Sequence, residues 1–406
     1  VGRTAIVGGG VVGLCTGIAL LDAGRAVTVV DDDLAGAAAS WGNAGHIAVE
    51  QVEPLASMEA VRSLPGRLFS RGGALAFPPS AIGRWLPFGL RLLAASRPAQ
   101  FRKGCAALRP LMAEAMPAWR TMADAIGAPD LLREDGHFIV WHGEQAAISG
   151  RKAWESADTG AARVQDVSAA ERAVLDGLGA QPAAGAVRFT GSGQIADLGD
   201  LRKALRAAFV QRGGVIVERH AELHVQGGKA VLPGVEADTI LICAGVRSRA
   251  LMEAAGHKVP IIAERGYHVR ADASGWAADL PPVVFEERSM IVTRYRDCVQ
   301  AASFVELGDP DAPADPRKWE RLERHVRELG LPFAGPFRRW MGCRPTLPDY
   351  LPAIGRSRRV DNLHYAFGHQ HLGLTLAPIT ARLMAAAMAG GEPVAQLAPF
   401  DIERFA

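Results

Sequence analysis

The sequence predicts an α/β fold in which two discontinuous domains interleave, and three observations carry that reading. Near the N-terminus a short β-like run, Thr4 to Val7, enters Gly8-x-Gly10-x-x-Gly13 and then apolar residues at helical spacing. From about residue 262 the stretches "RGYHVRAD", "PPVVFEE" and "SMIVTRYRDCVQAASF" alternate or run as strands, which suggests an antiparallel sheet. Close to the C-terminus, "HYAFGHQHLGLTLAP" repeats the order strand, glycine, helix.

The first element reads as a phosphate cradle. Val11, Leu14, Cys15, Ile18 and Ala19 make the apolar face of a helix that Gly24 stops, and a second β run, Ala26 to Val30, ends in Asp31. The first glycine permits a tight turn, the second lets backbone approach a pyrophosphate, and the third lets helix pack on strand. Gly8, Gly10, Val11, Val12 and Gly13 are therefore candidate cofactor residues, because the helix N-terminus offers free N–H groups to phosphates. Asp31 stands where a carboxylate binds ribose hydroxyls, with Asp32 as the alternative. Residues 4–21 carry no charge, but their five glycines and the Asp22 that follows suit a buried strand, turn and helix better than a membrane span.

The next stretch, "AGAAASWGNAGHIA" (residues 35–48), is too poor in polar residues for an amphipathic helix. It reads as a loop along an extended cofactor, with Ser40 and Asn43 as donors and Gly42 and Gly45 allowing close approach. Trp41, Ala44 and His46 fall in the same loop. Residues 49–189 then read as largely helical, punctuated by Pro87, Pro98, Pro110 and Pro117, with a strand in "GHFIVWHG". Asp200 is expected to cap a helix Leu201–Gln211, and "DTILICAG" to run as a strand into Ala244, Gly245 and a new helix near the adenosine. "DPRKWERLERHVRELG" predicts a charged helix, Lys318 to Leu329, with a solvated face. Residues 1–48, 190–261 and 340–406 are assigned to the cofactor domain, and 49–189 and 262–339 to a substrate domain.

The C-terminal junction turns at Gly368 and enters a long helix with Leu372, Leu376, Ile379 and Leu383 on one face. His369, Gln370, His371, Leu372 and Gly373 line the turn, and Leu374 and Thr375 open the helix; its N-terminus points N–H groups at something electron-rich. A metal at His369 and His371 is not expected, because residues two apart do not share a helix face and no Cys or acid clusters beside them. Both read as capping or packing histidines with a lowered pKa.

The totals narrow the function class. A net charge of +2 over 406 residues gives no nucleic-acid footprint. Five widely spaced cysteines without Cys-x-x-Cys indicate neither a zinc site nor a disulfide framework, and a reducing compartment. No targeting peptide is expected, since the first motif begins within ten residues. Near the other end, "MGCRPTLPDYLPAIG" holds Arg344 between Cys343 and a run of prolines that stiffen its backbone. A rigidly held guanidinium suits a carboxylate, which it grips through two parallel hydrogen bonds.

Taken in order, the N-terminal cradle, "SWGNAG", "ERGYHV", "GCRPTLPDYLPAIG" and "GHQHLGLTLAP" resemble the D-amino-acid oxidase superfamily of FAD enzymes. Within it the chain is most similar to bacterial D-amino-acid and D-hydroxyproline dehydrogenases, over nearly its whole length and most strongly at its two ends. The resemblance implies a Rossmann-like FAD-binding domain of the glutathione-reductase type, interleaved with an antiparallel-sheet substrate domain. It places the C-terminal junction at the flavin ring and gives Arg344 the substrate carboxylate. Tyr267 and Tyr350 become candidate active-site walls, with a buried core tyrosine the equal alternative for Tyr267, and His371 and His46 candidate catalytic neighbours of the flavin. His46 departs from the family, where glycine or a small apolar residue is more usual. Sarcosine-oxidase relatives tether flavin through a cysteine in a region comparable to Cys343, but the match is poor, and non-covalent FAD is expected.

The implied reaction passes a hydride from Cα of an amino or imino acid, of the D-proline or hydroxy-D-proline type, to flavin N5, and gives an imine. The implied electron acceptor is a quinone, a carrier or oxygen. Two alternatives stay open: an FAD amine oxidase acting on glycine, sarcosine or an L-imino acid, and a flavin subunit of a larger dehydrogenase. A homo-oligomer or partner subunits are compatible with either. The expected location is cytoplasmic. Contact at the inner membrane is peripheral at most, through Trp85, Leu86, Phe88, Leu90, Leu92 and Leu93 beside Arg84, Arg91 and Arg97, although an internal helix is the preferred reading of that stretch.

Overall fold

The computed structural model describes residues 2–33, 35–390 and 394–406. The chain begins with β1 (Arg3–Val7), α1 (Val11–Asp22) and β2 (Ala26–Asp31). Pro98 then opens α2 (Pro98–Ala125), a single helix with Pro110 and Pro117 inside it. The helix runs through both prolines rather than being punctuated by them. Each costs roughly 3 kcal/mol within a helix, which the burial of Leu108, Leu111, Met112, Ala115 and Trp119 along one stripe outweighs. The strand β3 (His137–Trp141) follows, then α3 (Leu198–Gln211), β4 (Val215–Glu218) and β5 (Thr239–Ile242). The cap of α3 is Asp197 rather than Asp200: its carboxylate accepts the N–H of Asp200, so the helix starts three residues before the expected Leu201.

The second half runs β6 (Ile262–Asp272), β7 (Met290–Arg294), β8 (Cys298–Gly308), α4 (Pro316–Leu329), β9 (Arg338–Thr346), β10 (Ala353–Arg356), β11 (Leu363–Phe367) and α5 (Gly373–Met388). On α4, Arg317, Glu320, Arg324, Arg327 and Glu328 make the solvated face, while Lys318 lies on the buried side with Leu322, Val326 and Leu329.

Two sheets organise these elements. The first has the order β4-β2-β1-β5-β11-β10, parallel except for β10. From β1 the chain steps to β2 on one side and later to β5 on the other, so the carboxyl ends of these strands flank a topological switch point, where α/β sheets bind ligands. Helices α1 and α5 pack together on one face of this sheet.

The larger sheet starts β9-β6-β8-β7 and continues through Val283–Phe285, β3, Gly185–Thr190 and Arg163–Asp166. It is mostly antiparallel; Val283–Phe285 with β3 is a parallel pair. A domain boundary at 340 would cut β9, whose register partner is β6 throughout; the strand belongs whole to the larger sheet.

The helix Ile82–Ala95 accommodates Pro87 and buries Phe88, yet leaves Ile82, Leu86, Leu90 and Leu93 exposed along one face. Among the described residues no helix is long and apolar enough to cross a membrane.

Candidate active site

The turn after β1 is shaped by two glycines. Gly8 has φ +109°, and a side chain there would lie 2.5 Å from the Cys243 carbonyl. A Cβ on Gly13 would lie 2.0 Å from the Gly8 carbonyl, so only glycine lets α1 meet the turn. Gly10 precedes the helix, and Val11 and Val12 occupy its first positions. The Val11 N–H donates to Ser40 Oγ at 3.1 Å, which brings the loop to the helix N-terminus. At the end of β2, Asp31 faces this turn: a Cβ on Gly9 would lie 2.5 Å from Asp31 Oδ2, and burial pushes the Asp31 carboxyl up. Asp32 turns outward and pairs with His220 Nδ1 at 2.8 Å. Ala244 and Gly245 follow β5 beside Gly8, with Gly245 at φ +55°.

The loop 40–45 bridges the two sheets. The Asn43 side chain is spent within the loop, donating to the Ser40 carbonyl (2.8 Å) and accepting the Gly45 N–H (2.6 Å). Its carbonyl accepts from Tyr295 Oη (3.0 Å) and Gln300 Nε2 (2.8 Å), and the Ala44 carbonyl accepts from Thr293 Oγ1 (2.8 Å). His268 Nδ1 lies 2.8 Å from the Gly42 carbonyl, and its ring stacks on Trp340. Trp41 is buried in the core. Asn43 therefore braces the loop and is not a free donor.

At the C-terminal junction Gly368 (φ +77°) and Gln370 (φ +48°) are both left-handed, and a short 3₁₀ turn, Gln370–Leu372, precedes the helix that starts at Gly373. His369 Nε2 lies 3.1 Å from Thr380 Oγ1, and burial pushes its pKa down to about 3. His371 Nε2 meets Gln51 Oε1; burial first, then the charge of Arg344, push its pKa down to about 4, while Glu264 and Glu50 oppose this. Thr375 Oγ1 accepts the Ala48 N–H (3.0 Å), and the Leu374 carbonyl accepts from Trp119 Nε1 (2.9 Å). Gln370 Nε2 donates to the Tyr350 carbonyl, while its Oε1 is buried without a partner among the described residues.

Arg344 lies on β9 opposite Glu264 of β6. Its Nη1 donates to Glu264 Oε1 (3.1 Å) and to the Phe304 carbonyl (3.2 Å). The guanidinium lies over Gly266, where a Cβ would be 2.5 Å from Nη2. A register shift between Arg265 and Tyr267, together with φ +70° at Phe304, turns that carbonyl toward the arginine. Glu264 is buried and also accepts from Thr346 Oγ1 (3.1 Å) and Tyr350 Oη (3.3 Å). Arg344, Tyr350 and, within electrostatic reach, His371 thus form one site.

Tyr267 is not part of it. Successive strand residues point to opposite faces, so Glu264, Gly266 and His268 share the Arg344 face while Arg265 and Tyr267 face the other way. Tyr267 Oη donates to Glu306 (3.1 Å) and accepts the Asp315 N–H (3.2 Å), inside a buried ion cluster with Arg265 and Lys318. Cys343 likewise faces away from Arg344, toward the Pro310 carbonyl. His46 is engaged elsewhere, with Nε2 3.0 Å from Glu50 Oε1.

The family model described as "FAD dependent oxidoreductase" (DAO) matches residues 3–387. The chain belongs to the DAO family of FAD-dependent oxidoreductases. A D-amino-acid oxidase of Bradyrhizobium diazoefficiens is 31% identical over 99% of both chains. D-amino acid dehydrogenase 2 of Pseudomonas aeruginosa is 30% identical over 94% of both. The solved glycine oxidase of Geobacillus kaustophilus superposes with a TM-score of 0.71 over 99% of both chains, at 21% identity, which is a likeness of fold.

The residues fit the FAD that this family uses. The cradle pairs a helix N-terminus with Asp31, and the orphaned Gln370 Oε1 is an acceptor left for a ring N–H. Glu264 is the site residue that sequence reasoning passed over. It stands in the same "ERGYHV" as Tyr267, and strand alternation with Arg344 opposite could have separated the two.

Proposed function

We propose that the protein oxidises a D-amino or D-imino acid at its CH–NH bond, with Arg344 holding the substrate carboxylate. One observation carries this: among the described residues only Nη1 of Arg344 is engaged, so Nη2 and Nε are left to take a carboxylate. Two relatives at 31% and 30% identity, named for D-amino acids, support the stereochemistry. A D-proline or hydroxy-D-proline substrate rests on the sequence motifs alone.

FAD, when bound, supplies the hydride acceptor. Gly8, Gly10, Val11, Val12 and Gly13 would hold its pyrophosphate, Asp31 its ribose, Ala244 and Gly245 its adenosine side, and Gly368 to Thr375 its ring. Glu264 fixes the Arg344 guanidinium. It also balances its charge, so a zwitterion suits the site better than a bare anion. Tyr350 stands beside the clamp, its hydroxyl donating to Glu264. His371, held neutral, is a hydrogen-bond partner and not a second cation. No side chain in the site is called on as a base at Cα; the substrate amine sheds its proton before the hydride leaves.

Anaerobic mixing of the yellow protein with D-proline, cis-4-hydroxy-D-proline, D-alanine, their L-forms, glycine and sarcosine tests this by flavin absorbance. Bleaching by D-forms alone supports the reading, and bleaching by glycine, sarcosine or L-forms alone overturns it.

The exposed Ile82, Leu86, Leu90 and Leu93 beside Arg91 and Arg97 favour peripheral contact with an anionic membrane and hence a quinone as acceptor. Liposome flotation that Leu90→Glu abolishes is the expected result; absence of flotation by the native chain rejects it.

A further inference from the structure

We propose that His46, Glu50 and His137 bind a divalent transition-metal ion of the zinc class. This site lies outside the amino-acid pocket and does not depend on the substrate reading.

The three side chains each offer one ligand atom, and these lie within 4.8 Å of one another. Donors at about 2.0–2.2 Å from a zinc-class ion reach a common centre from such separations with small side-chain rotations. The two imidazole rings have centroids 4.5 Å apart in an edge arrangement.

Both histidines are anchored from behind. His46 Nδ1 lies 3.2 Å from the Gly193 carbonyl, and His137 Nδ1 lies 3.0 Å from Ser192 Oγ. A carbonyl only accepts, so the proton of a neutral His46 sits on Nδ1 and its Nε2 presents a lone pair. Metal-bound histidines are oriented in the same way, by a hydrogen bond at the ring nitrogen that does not ligate.

That lone pair faces Glu50 Oε1 at 3.0 Å. Two acceptors at this distance need a cation between them. A proton on His46 would satisfy one contact only: Glu50 Oε2 would stay buried without a partner, as it is among the described residues. The Glu50 side chain is only 3% exposed. A metal ion answers the lone pair, one carboxylate oxygen and the second imidazole together, and a water bound to it would donate to the other carboxylate oxygen. Two imidazoles and one carboxylate leave one position for water.

The ion would clip the segment after the loop 40–45 to β3. Gln51, adjacent to Glu50, meets His371, so the clip would also position that histidine.

The test uses untagged, FAD-loaded protein, so that no affinity tag carries metal. Elemental analysis should find about one zinc-class ion per chain. After chelator dialysis, Zn²⁺ should raise Tm by a few degrees, and Co²⁺ should add ligand-field absorption to the red of the flavin. Glu50→Gln keeps the shape and should lose both responses; His137→Gln should do the same. Less than a tenth of an equivalent of metal, with no Tm or spectral response of the native chain to Zn²⁺ or Co²⁺, overturns the proposal in favour of an imidazolium–carboxylate pair. That outcome is read on the native chain and so does not depend on whether the variants fold.

Discussion

Arg344 and Glu264 face each other across adjacent antiparallel strands, with Nη1 3.1 Å from Oε1, and the arginine is 27% exposed while the acid is 2% exposed. The buried partner aims the half-exposed one. Arg344→Ala removes the carboxylate clamp and strands a buried acid, and each loss is worth about 2–5 kcal/mol. Steady-state assays on amino acids should give kcat/KM down by at least about 100-fold. Arg344→Lys restores charge but no fork, and should recover little of it. An unchanged kcat/KM in Arg344→Ala would sink the assignment.

Glu264→Gln separates aiming from charge. The amide keeps the size and some of the hydrogen bonds to Thr346 and Tyr350, but leaves Arg344 uncompensated. Simple carboxylate inhibitors without an amine should then bind more tightly relative to zwitterionic amino acids. Inhibition constants for acetate or benzoate, compared with KM for substrate, read this directly. A parallel change in both would argue against a role in charge balance.

Tyr267→Phe tests whether that residue belongs to the core. Its hydroxyl lies between Glu306 and the Asp315 N–H, so its loss leaves buried groups short of a partner. Unfolding stability should fall by about 1–3 kcal/mol, with kcat/KM within a few-fold of native. Denaturant unfolding together with steady-state assay distinguishes this from the wall role the motif suggested.

The same contrast explains what could be read from the chain. The turn Gly8 to Gly13 was legible because each glycine answers a local backbone demand. Choosing between Asp31 and Asp32 needed the strand's exact end, and only the fold turns Asp32 out to His220. In "DLGD" the acids three apart form a cap and its N3 partner, a pattern that names Asp197 rather than Asp200 as the cap. The partners of Asn43 lie about 250 residues away, and His46 meets His137 through packing alone. Contacts of that range leave no periodic trace in a single sequence.

The buried histidines predict a steep acid limb. Burial pushes His369 and His268 from 6.5 down to about 3, and His371 and His364 down to about 4. Because the folded values are depressed, the unfolded chain binds more protons between the two, so stability is complete above about pH 6.5 and falls as pH drops toward 4. At pH 5 a histidine like His369 costs about 2 kcal/mol. Tm measured from pH 8 to pH 4.5 should be flat at first and then fall sharply below about pH 6.5. His369→Gln, which can still hydrogen-bond Thr380 but does not titrate, should shallow that fall while lowering Tm little at pH 8. A Tm that stays level down to pH 4.5 would mean these rings take up protons in the folded state, and that His371 stands beside Arg344 as a second cation.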